Sequence, residues 1–336
     1  MNLKDAKILI TGGAGFIGSH IAESLAKIGA EVIIYDNFST GHNENIESIR
    51  NMKNVHVVTG DVMDLKSLLE VSKNVDIISH QAANLEISAS LDSPIEDMAL
   101  NVGGTINVLE AAVRNNVKKV IFASSAAVYG EAKYVPEDED HPKNPQWPYG
   151  ASKLSAEAYC RMYHEFYGLN VVSLRYGIVY GVREWFGRVL TVFIKRVFLE
   201  NQPPVVFGDG KQTRDYINVK DVVILHNLVA QNDDVTFDFF NVGSQTEITI
   251  YELAKLVIEL SDKNFDVIFE DVPEGAYSKL VGRWRIPKEL KRMMLGIDRA
   301  KKVLGWTPKI PLRDGISEEA SWIIKNSERW NIKPRV

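Results

Sequence analysis

Tyr149 and Lys153 stand four residues apart in Trp147-Pro-Tyr-Gly-Ala-Ser-Lys153, a spacing that puts both side chains on one face of a helix. A lysine ammonium beside a phenol favours the phenolate and lowers its pKa. A phenolate-like Tyr149 can accept the proton of an alcohol while hydride leaves the same carbon. Ser125, closing the pair Ser124-Ser125, would hydrogen-bond the same oxygen. Such chemistry needs a hydride acceptor. Thr11-Gly-Gly-Ala-Gly-Phe-Ile-Gly18 supplies a cradle for one, because a glycine-rich turn lets backbone amides approach a dinucleotide pyrophosphate. Tyr-x-x-x-Lys alone describes many surface pairs, and glycines alone mark many turns. Together they point to a nicotinamide enzyme.

These side chains must be held by alternating strands and helices. Ala6–Thr11 reads as a buried strand, and Ser19–Gly29 as a helix with Ile21, Leu25 and Ile28 on one face. The start of that helix offers oriented N–H donors to phosphate. A second apolar run, Glu31–Tyr35, ends in Asp36, where an acid binds the adenosine ribose hydroxyls and repels a 2′-phosphate. NAD is therefore expected over NADP. Further strands are expected at Val55–Val58, Val75–Ser79 and Lys119–Ala123, with helices at Met98–Asn115 and Trp147–Gly168, the latter opening on Pro148. The fold class is α/β, a Rossmann-type doubly wound parallel sheet with a smaller C-terminal α/β substrate lobe. Ligands of such sheets sit at the carboxyl ends of the strands, where Asp61, His80 to Ala83 and Ser124-Ser125 fall.

Over almost its whole length the chain resembles the extended short-chain dehydrogenase/reductase family, and within it the nucleotide-sugar 4-epimerases of the UDP-glucose 4-epimerase type. The resemblance rests on Thr11 to Gly18, Asp36-Asn-Phe-Ser-Thr-Gly41, His80 to Ala83, Asn101-Val-Gly-Gly-Thr-Ile-Asn107, Ser124-Ser-Ala-Ala-Val-Tyr-Gly130 and Tyr149 to Lys153. It continues through Leu174 to Gly181, Phe207 to Tyr216 and Leu304-Gly-Trp-Thr-Pro308. The resemblance implies that Gly12, Gly15 and Gly18 cradle the pyrophosphate, with Phe16 and Ile17 in the turn. It places Asp36, Asn37 and Ser39 at the adenosine ribose, Asp61 and Val62 at the adenine edge, and Ala82, Asn101 and Tyr176 along the cofactor. Ser125, Tyr149 and Lys153 become the catalytic residues, with Lys153 also reaching the nicotinamide ribose. On the substrate side it implies Val206 and Phe207 at the uracil and Arg214 on the diphosphate, where a planar fork suits phosphate oxygens.

Two departures stand out. Ile178 occupies the place of a usual Asn, and the usual Arg-Pro-Gly-Asp stretch is replaced by Gly282-Arg-Trp-Arg-Ile-Pro-Lys-Glu-Leu-Lys-Arg-Met. Arg285 is the candidate second phosphate arginine, ahead of Arg283 and Arg292. The expected activity is NAD-dependent 4-epimerisation of a UDP-hexose, with UDP-glucose and UDP-galactose first. The alternatives are epimerases of UDP-glucuronate or UDP-N-acetylhexosamine, then a 4,6-dehydratase, decarboxylase or reductase, and last a non-enzymatic NAD-binding scaffold. Dehydratase relatives carry Asp-Glu where this chain has Ala126 and Ala127, and alanine moves no proton. A scaffold has no need of Ser125, Tyr149 and Lys153.

The rest of the chain sets bounds. Its 336 residues are read as a cofactor domain over 1–180 and a substrate lobe over 181–336, with chain crossings between them. The later elements expected are Leu190–Glu200, Val219–Ala230, Ile250–Leu260 and Phe265–Glu270. A net charge of −5 gives no basic footprint for nucleic acid, and the cluster Lys279–Arg292 suits phosphate or solvent. Cys160 is a lone cysteine without a disulfide partner or a metal set, so no metal is expected. No apolar run spans a membrane and Met1–Lys7 does not read as a signal peptide, so the expected location is cytoplasmic. The acids of Pro136–Pro148 are read as solvated, and His141 and His164 as structural or surface residues, while His80 falls at a strand end near the cofactor. Tyr159, Met162, Tyr163, Phe166 and Tyr167 make helix 149–167 unusually aromatic, and a homodimer through helices 101–115 and 149–167 is expected.

Overall fold

The computed structural model describes residues 1–84, 87–184 and 187–331, so the last five residues of the substrate lobe lie outside it. Seven parallel strands form the central sheet: β1 Lys7–Thr11, β2 Glu31–Asp36, β3 Val55–Thr59, β4 Ile77–His80, β5 Lys119–Ser125, β6 Asn170–Tyr176 and β7 Phe237–Val242. Their order is β7-β6-β5-β4-β1-β2-β3. The order reverses between β1 and β4, and that switch point opens a crevice at the carboxyl edge. Register aligns the functional ends there: Thr11 lies opposite Tyr35 and His80, and Ser125 opposite Tyr176.

Both faces of the sheet are buried, which is why its strands read as continuous apolar runs. Ile8 and Ile10 point to a layer with Ile21 and Leu25 of helix α1 (Phe16–Lys27). Leu9 points the other way, toward Val108 and Leu109 of helix α2 (Gly104–Arg114) and Ala156 and Cys160 of helix α3 (Pro148–Tyr167). Helix α3 starts where Pro148 takes the first helical position and ends on Gly168 in the left-handed region, φ 67°.

Several expectations change in detail. Helix α1 begins at Phe16, three residues before Ser19, because Gly15 is its N-cap and the last motif glycine is already helical. The stretch Met98–Asn115 is not one helix: a short helix Pro94–Met98 and a π turn Ala99–Gly103 precede α2. Strand β4 runs two residues later than expected at its start, and β7 is not anticipated at all. Helix α4 (Val219–Gln231) belongs to the large sheet and not to the smaller lobe. Its Asn227 donates to Ser24 Oγ of α1 at 2.9 Å, and its His226 meets Ser79 Oγ of β4 at 2.8 Å. The chain therefore returns to the cofactor side through α4 and β7 before re-entering the smaller lobe.

That lobe packs a helix Val189–Ile194, α5 (Ile250–Leu260) and α6 (Leu312–Lys325) around Phe193, Leu253, Val257, Ile316 and Ile323. A parallel strand pair, Val205–Phe207 with Ile268–Glu270, closes it. The Val189 helix continues as a π turn, Lys195–Leu199. The acids of Pro136–Pro148 are not all solvated: Glu137 and Glu139 are buried, Glu139 accepting from the Asn241 amide at 2.9 Å. His80 is buried between Thr11 Oγ1 at 2.7 Å and Thr105 Oγ1 at 3.1 Å, and burial pushes it down to about 3, so it is a neutral strut. Buried His141 accepts from the Lys133 amide, and His164 bonds the Leu169 carbonyl at the end of α3.

Candidate active site

A cleft follows the carboxyl edge from Gly12, Asp36 and Asp61 at one end to Tyr149, Lys153 and Arg188 at the other. Gly15, Phe16, Ile17, Gly18, Asn37, Ser39, Val62, Ala82 and Tyr176 also line it. One cofactor candidate does not. Asn101 is buried behind the wall, where the π turn aims it at the Asn84 amide (2.9 Å), Asp97 (3.0 Å) and Ser152 (3.2 Å).

The nucleotide end has the shape a dinucleotide needs. Gly12 adopts φ +66°, and a Cβ on it would sit 2.7 Å from the Ala82 nitrogen. A Cβ at Gly18 would meet the Gly12 carbonyl at 2.1 Å, so strand turn and helix can touch only as glycines. Gly15 caps α1 without a side-chain bond, which leaves first-turn amides free of a protein acceptor where pyrophosphate would lie. Asp36 is fixed by the Ala14 amide on Oδ2 (2.9 Å) and the Phe38 amide on Oδ1 (2.8 Å). Asn37 donates to Asp61 Oδ2 at 2.9 Å and closes the rim. These residues fit NAD.

At the other end Ser125 ends β5 and turns the chain, its Oγ accepting from the Ala127 amide at 3.1 Å. Ser125 lies near enough to the Tyr149 hydroxyl to favour its ionised form, so the two groups converge as expected. Lys153 does not act on the phenol as expected. Its Nζ donates to the Ala123 carbonyl at 2.9 Å and lies 5.9 Å from the Tyr149 ring centre. Burial raises the Tyr149 pKa; the Ser125 bond and the Arg188 charge oppose that rise, and Asp97 adds to it. Burial also brings Lys153 down to about 8, against Asp97. Desolvation wins because both groups are sunk in the cleft wall.

The sequence reading misses three groups here. Asp97 reaches Lys153 electrostatically from a helix far upstream in the chain. Arg188 enters the cleft from the smaller lobe. Behind Ser124, Glu157 of α3 accepts from Ser124 Oγ (2.5 Å) and takes Arg175 of β6 bidentately at 2.9 and 2.8 Å.

On the substrate side Val206 is buried in the lobe core, so only its backbone is available to a ligand. Phe207 is half-buried, its carbonyl accepting from Gln212 at 3.4 Å. Arg214 and Arg285, 71 positions apart by number, are brought together. Glu289 Oε1 lies 3.6 Å from Arg214 Nη2, and Glu289 Oε2 accepts from Arg285 Nε at 3.1 Å. Arg292 is held away by Glu247 at 2.7 Å. Ile178 is half-buried against the cluster of Ala126, Met293 and Leu295. Among the described residues no His, Cys, Asp and Glu group is arranged to hold a metal ion, and no helix is long and apolar enough to cross a membrane.

Comparison with known proteins gives the site its setting. A Methanocaldococcus jannaschii protein provisionally named a UDP-glucose 4-epimerase is 38% identical over 326 residues, 96% of this chain and 99% of its own. The UDP-N-acetyl-α-D-glucosaminuronate decarboxylase of Bacillus cytotoxicus is 34% identical, covering 94% of this chain and 97% of that protein. Among solved structures, the UDP-glucose 4-epimerase of Thermus thermophilus in complex with NAD is 33% identical, with a TM-score of 0.83 over 95% of this chain and 99% of that one. The model described as GDP-mannose 4,6 dehydratase matches residues 9–319. That match runs from the first strand of the sheet into its last long helix, and the chain belongs to this family of extended short-chain dehydrogenases/reductases.

Proposed function

We propose that the protein is an NAD-dependent 4-epimerase of a UDP-hexose, UDP-glucose and UDP-galactose first, working through a transient 4-keto sugar. The observation that carries this is Tyr149, with Ser125 acting on its hydroxyl, at the end of a glycine-cradled cleft. NAD, when bound, supplies the hydride acceptor and returns the hydride. Tyr149 Oη takes the proton of the sugar 4-hydroxyl and gives it back, while Ser125 Oγ holds the same oxygen. Lys153 is the buried cation beside them, and the Asp97–Asn101–Ser152 network fixes the helix that carries both. Arg214 and Arg285 take the diphosphate, Glu289 having to yield to it. Ala126 and Ala127 supply no proton for the loss of water that a dehydratase needs.

Purified protein incubated with UDP-glucose, with no cofactor added, is expected to yield UDP-galactose by proton NMR, because NAD is regenerated each cycle. A 4-keto-6-deoxy product would replace this reading with dehydration. Turnover of UDP-glucuronate or UDP-N-acetylglucosamine alone would move the reading to a different sugar, admitted by Ile178.

Asp36 carries the cofactor preference. NAD is expected to bind at least about tenfold tighter than NADP, by calorimetry, since a carboxylate on the ribose repels a 2′-phosphate. Asp36→Ala is expected to remove that preference and to weaken both, because the Ala14 and Phe38 amides lose their acceptor.

The occupant we propose for the outer face of helices 94–114 and 148–167 is a second copy of the chain. Ile95 and Phe166 are each 77% exposed, with Met98 and Tyr167 also outward. Tyr159 and Tyr163 turn inward onto the core, which leaves the end of α3 for the interface. Sedimentation at micromolar concentration is expected to give a dimer mass; a monomer mass would remove this partner.

A further inference from the structure

Glu184 and Glu319 are the least expected pair in the molecule. Glu319 sits in the middle of α6 and Glu184 in the turn that follows the strand Ile178–Tyr180, and both are buried. Their carboxyl groups lie close enough for each to act on the other. Neither oxygen of Glu319, nor Oε2 of Glu184, has a hydrogen-bond partner. Two buried carboxyls in contact cannot both be charged without a donor between them.

Among the described residues one cation faces them. Arg188 lies 3.7 Å from Glu184 Oε1, donates to the Val179 carbonyl at 3.0 Å, and lines the cleft together with Tyr149 and Lys153. Arg183, next to Glu184, turns away to Glu23 of α1. Tyr180 and Tyr216 cover the pair from two adjoining strands, their rings 6.2 Å apart. Arg214 acts on Tyr216, and Asp221 and Asp314 on Tyr180, through their charges.

We propose that Glu184 and Glu319 share one proton and together position Arg188 at the reaction end of the cleft, where its guanidinium acts on the Tyr149 hydroxyl. Above about pH 7 the pair thus carries one negative charge, enough to hold one guanidinium without cancelling a second. Glu184 and Glu319 are positioning residues; neither touches the reacting atoms. Burial drives both carboxyls up, Glu184 to about 7 with Arg188 opposing, and Glu319 well above the usual range with the Glu184 charge adding to it. Such a carboxyl favours folding fully below its unfolded value of 4.5, and that contribution is lost as pH rises toward about 7. The inference rests on Tyr149 as the acid/base group of the proposed reaction, and not on the sugar.

The test needs no substrate. Tyr149 is titrated in the NAD-loaded protein as the tyrosinate absorbance difference from Tyr149→Phe, in the wild type and in Arg188→Gln, Glu184→Gln and Glu319→Gln. Arg188→Gln is expected to raise the Tyr149 pKa by about one unit, and Glu184→Gln to do the same by releasing Arg188. Glu319→Gln keeps a permanent donor against Glu184 and is expected to move Tyr149 less than about a third as far. In the same samples, the fall in the unfolding midpoint of the wild type between pH 4.5 and about 7 is expected to shrink in Glu319→Gln. An unmoved Tyr149 in Arg188→Gln would overturn the proposal. So would Glu319→Gln moving it as far as Glu184→Gln, or an unchanged fall in the midpoint. Should Glu184→Gln fail to fold, Arg188→Gln and Glu319→Gln decide the matter by themselves. A failed sugar assay with these titrations intact would fault the substrate reading alone.

Discussion

Tyr149→Phe is expected to lower kcat by about 10²- to 10⁴-fold while leaving the fold and NAD affinity close to wild type. The reasoning is local. The ring stays packed, since Phe fills the same space, and the side-chain partner the hydroxyl loses is Ser125. A single hydrogen bond of this kind is worth about 1 kcal/mol, too little to unfold the domain. The proton of the sugar hydroxyl, in contrast, loses its acceptor. Lys153 cannot replace it, because Nζ is committed to the Ala123 carbonyl and lies 5.9 Å from the centre of the Tyr149 ring. Steady-state rates beside a calorimetric NAD titration separate the two effects. Retention of near-normal turnover would show that another group carries the proton.

The second large effect lies behind the site. Glu157→Ala is expected to destabilise the protein by about 3–5 kcal/mol, read from the urea midpoint at constant slope. Glu157 and Arg175 are both nearly inaccessible, and the guanidinium also donates to Tyr129 Oη and the Glu139 carbonyl, each at 2.9 Å. Removing the carboxylate leaves a buried cation paired only with neutral acceptors and frees Ser124 at the end of β5. Helix α3, which carries Tyr149 and Lys153, is tied to strands β5 and β6 through this side chain. A loss below about 1 kcal/mol would mean that the pair is not the tie it looks to be.

Why these two residues differ in how they could be found is a matter of chain distance. Tyr149 and Lys153 declare themselves because their geometry is set by one turn of helix. The cofactor cradle does so because a glycine turn, a strand and a helix are consecutive, and Asp36 ends the next strand. Glu157 and Arg175 give no such signal, for each is an ordinary charged residue until tertiary packing closes a buried ion pair. Glu289 is hidden in the same way, between Arg214 and Arg285. Strand β7 is missed because Phe-Asp-Phe-Phe-Asn-Val breaks the apolar run, yet Asn241 is buried by bonds from its amide group to the Glu137 and Gly296 carbonyls. Helix α4 has the same amphipathic pattern on either lobe, and only its contacts with Ser24 and Ser79 say which. The charge of Tyr149 is hidden for a different reason: helix spacing places two groups on one face, but burial, which spacing does not report, also acts on their charge.

The central claim is that hydride leaves C4 of a UDP-hexose and returns to the opposite face of the same carbon. Proton and deuterium NMR of UDP-[4-²H]glucose incubated with the protein tests it most directly. The account predicts UDP-galactose with the deuterium retained at C4. Epimerised product that has lost the label to solvent would contradict it, as would a label found at another carbon.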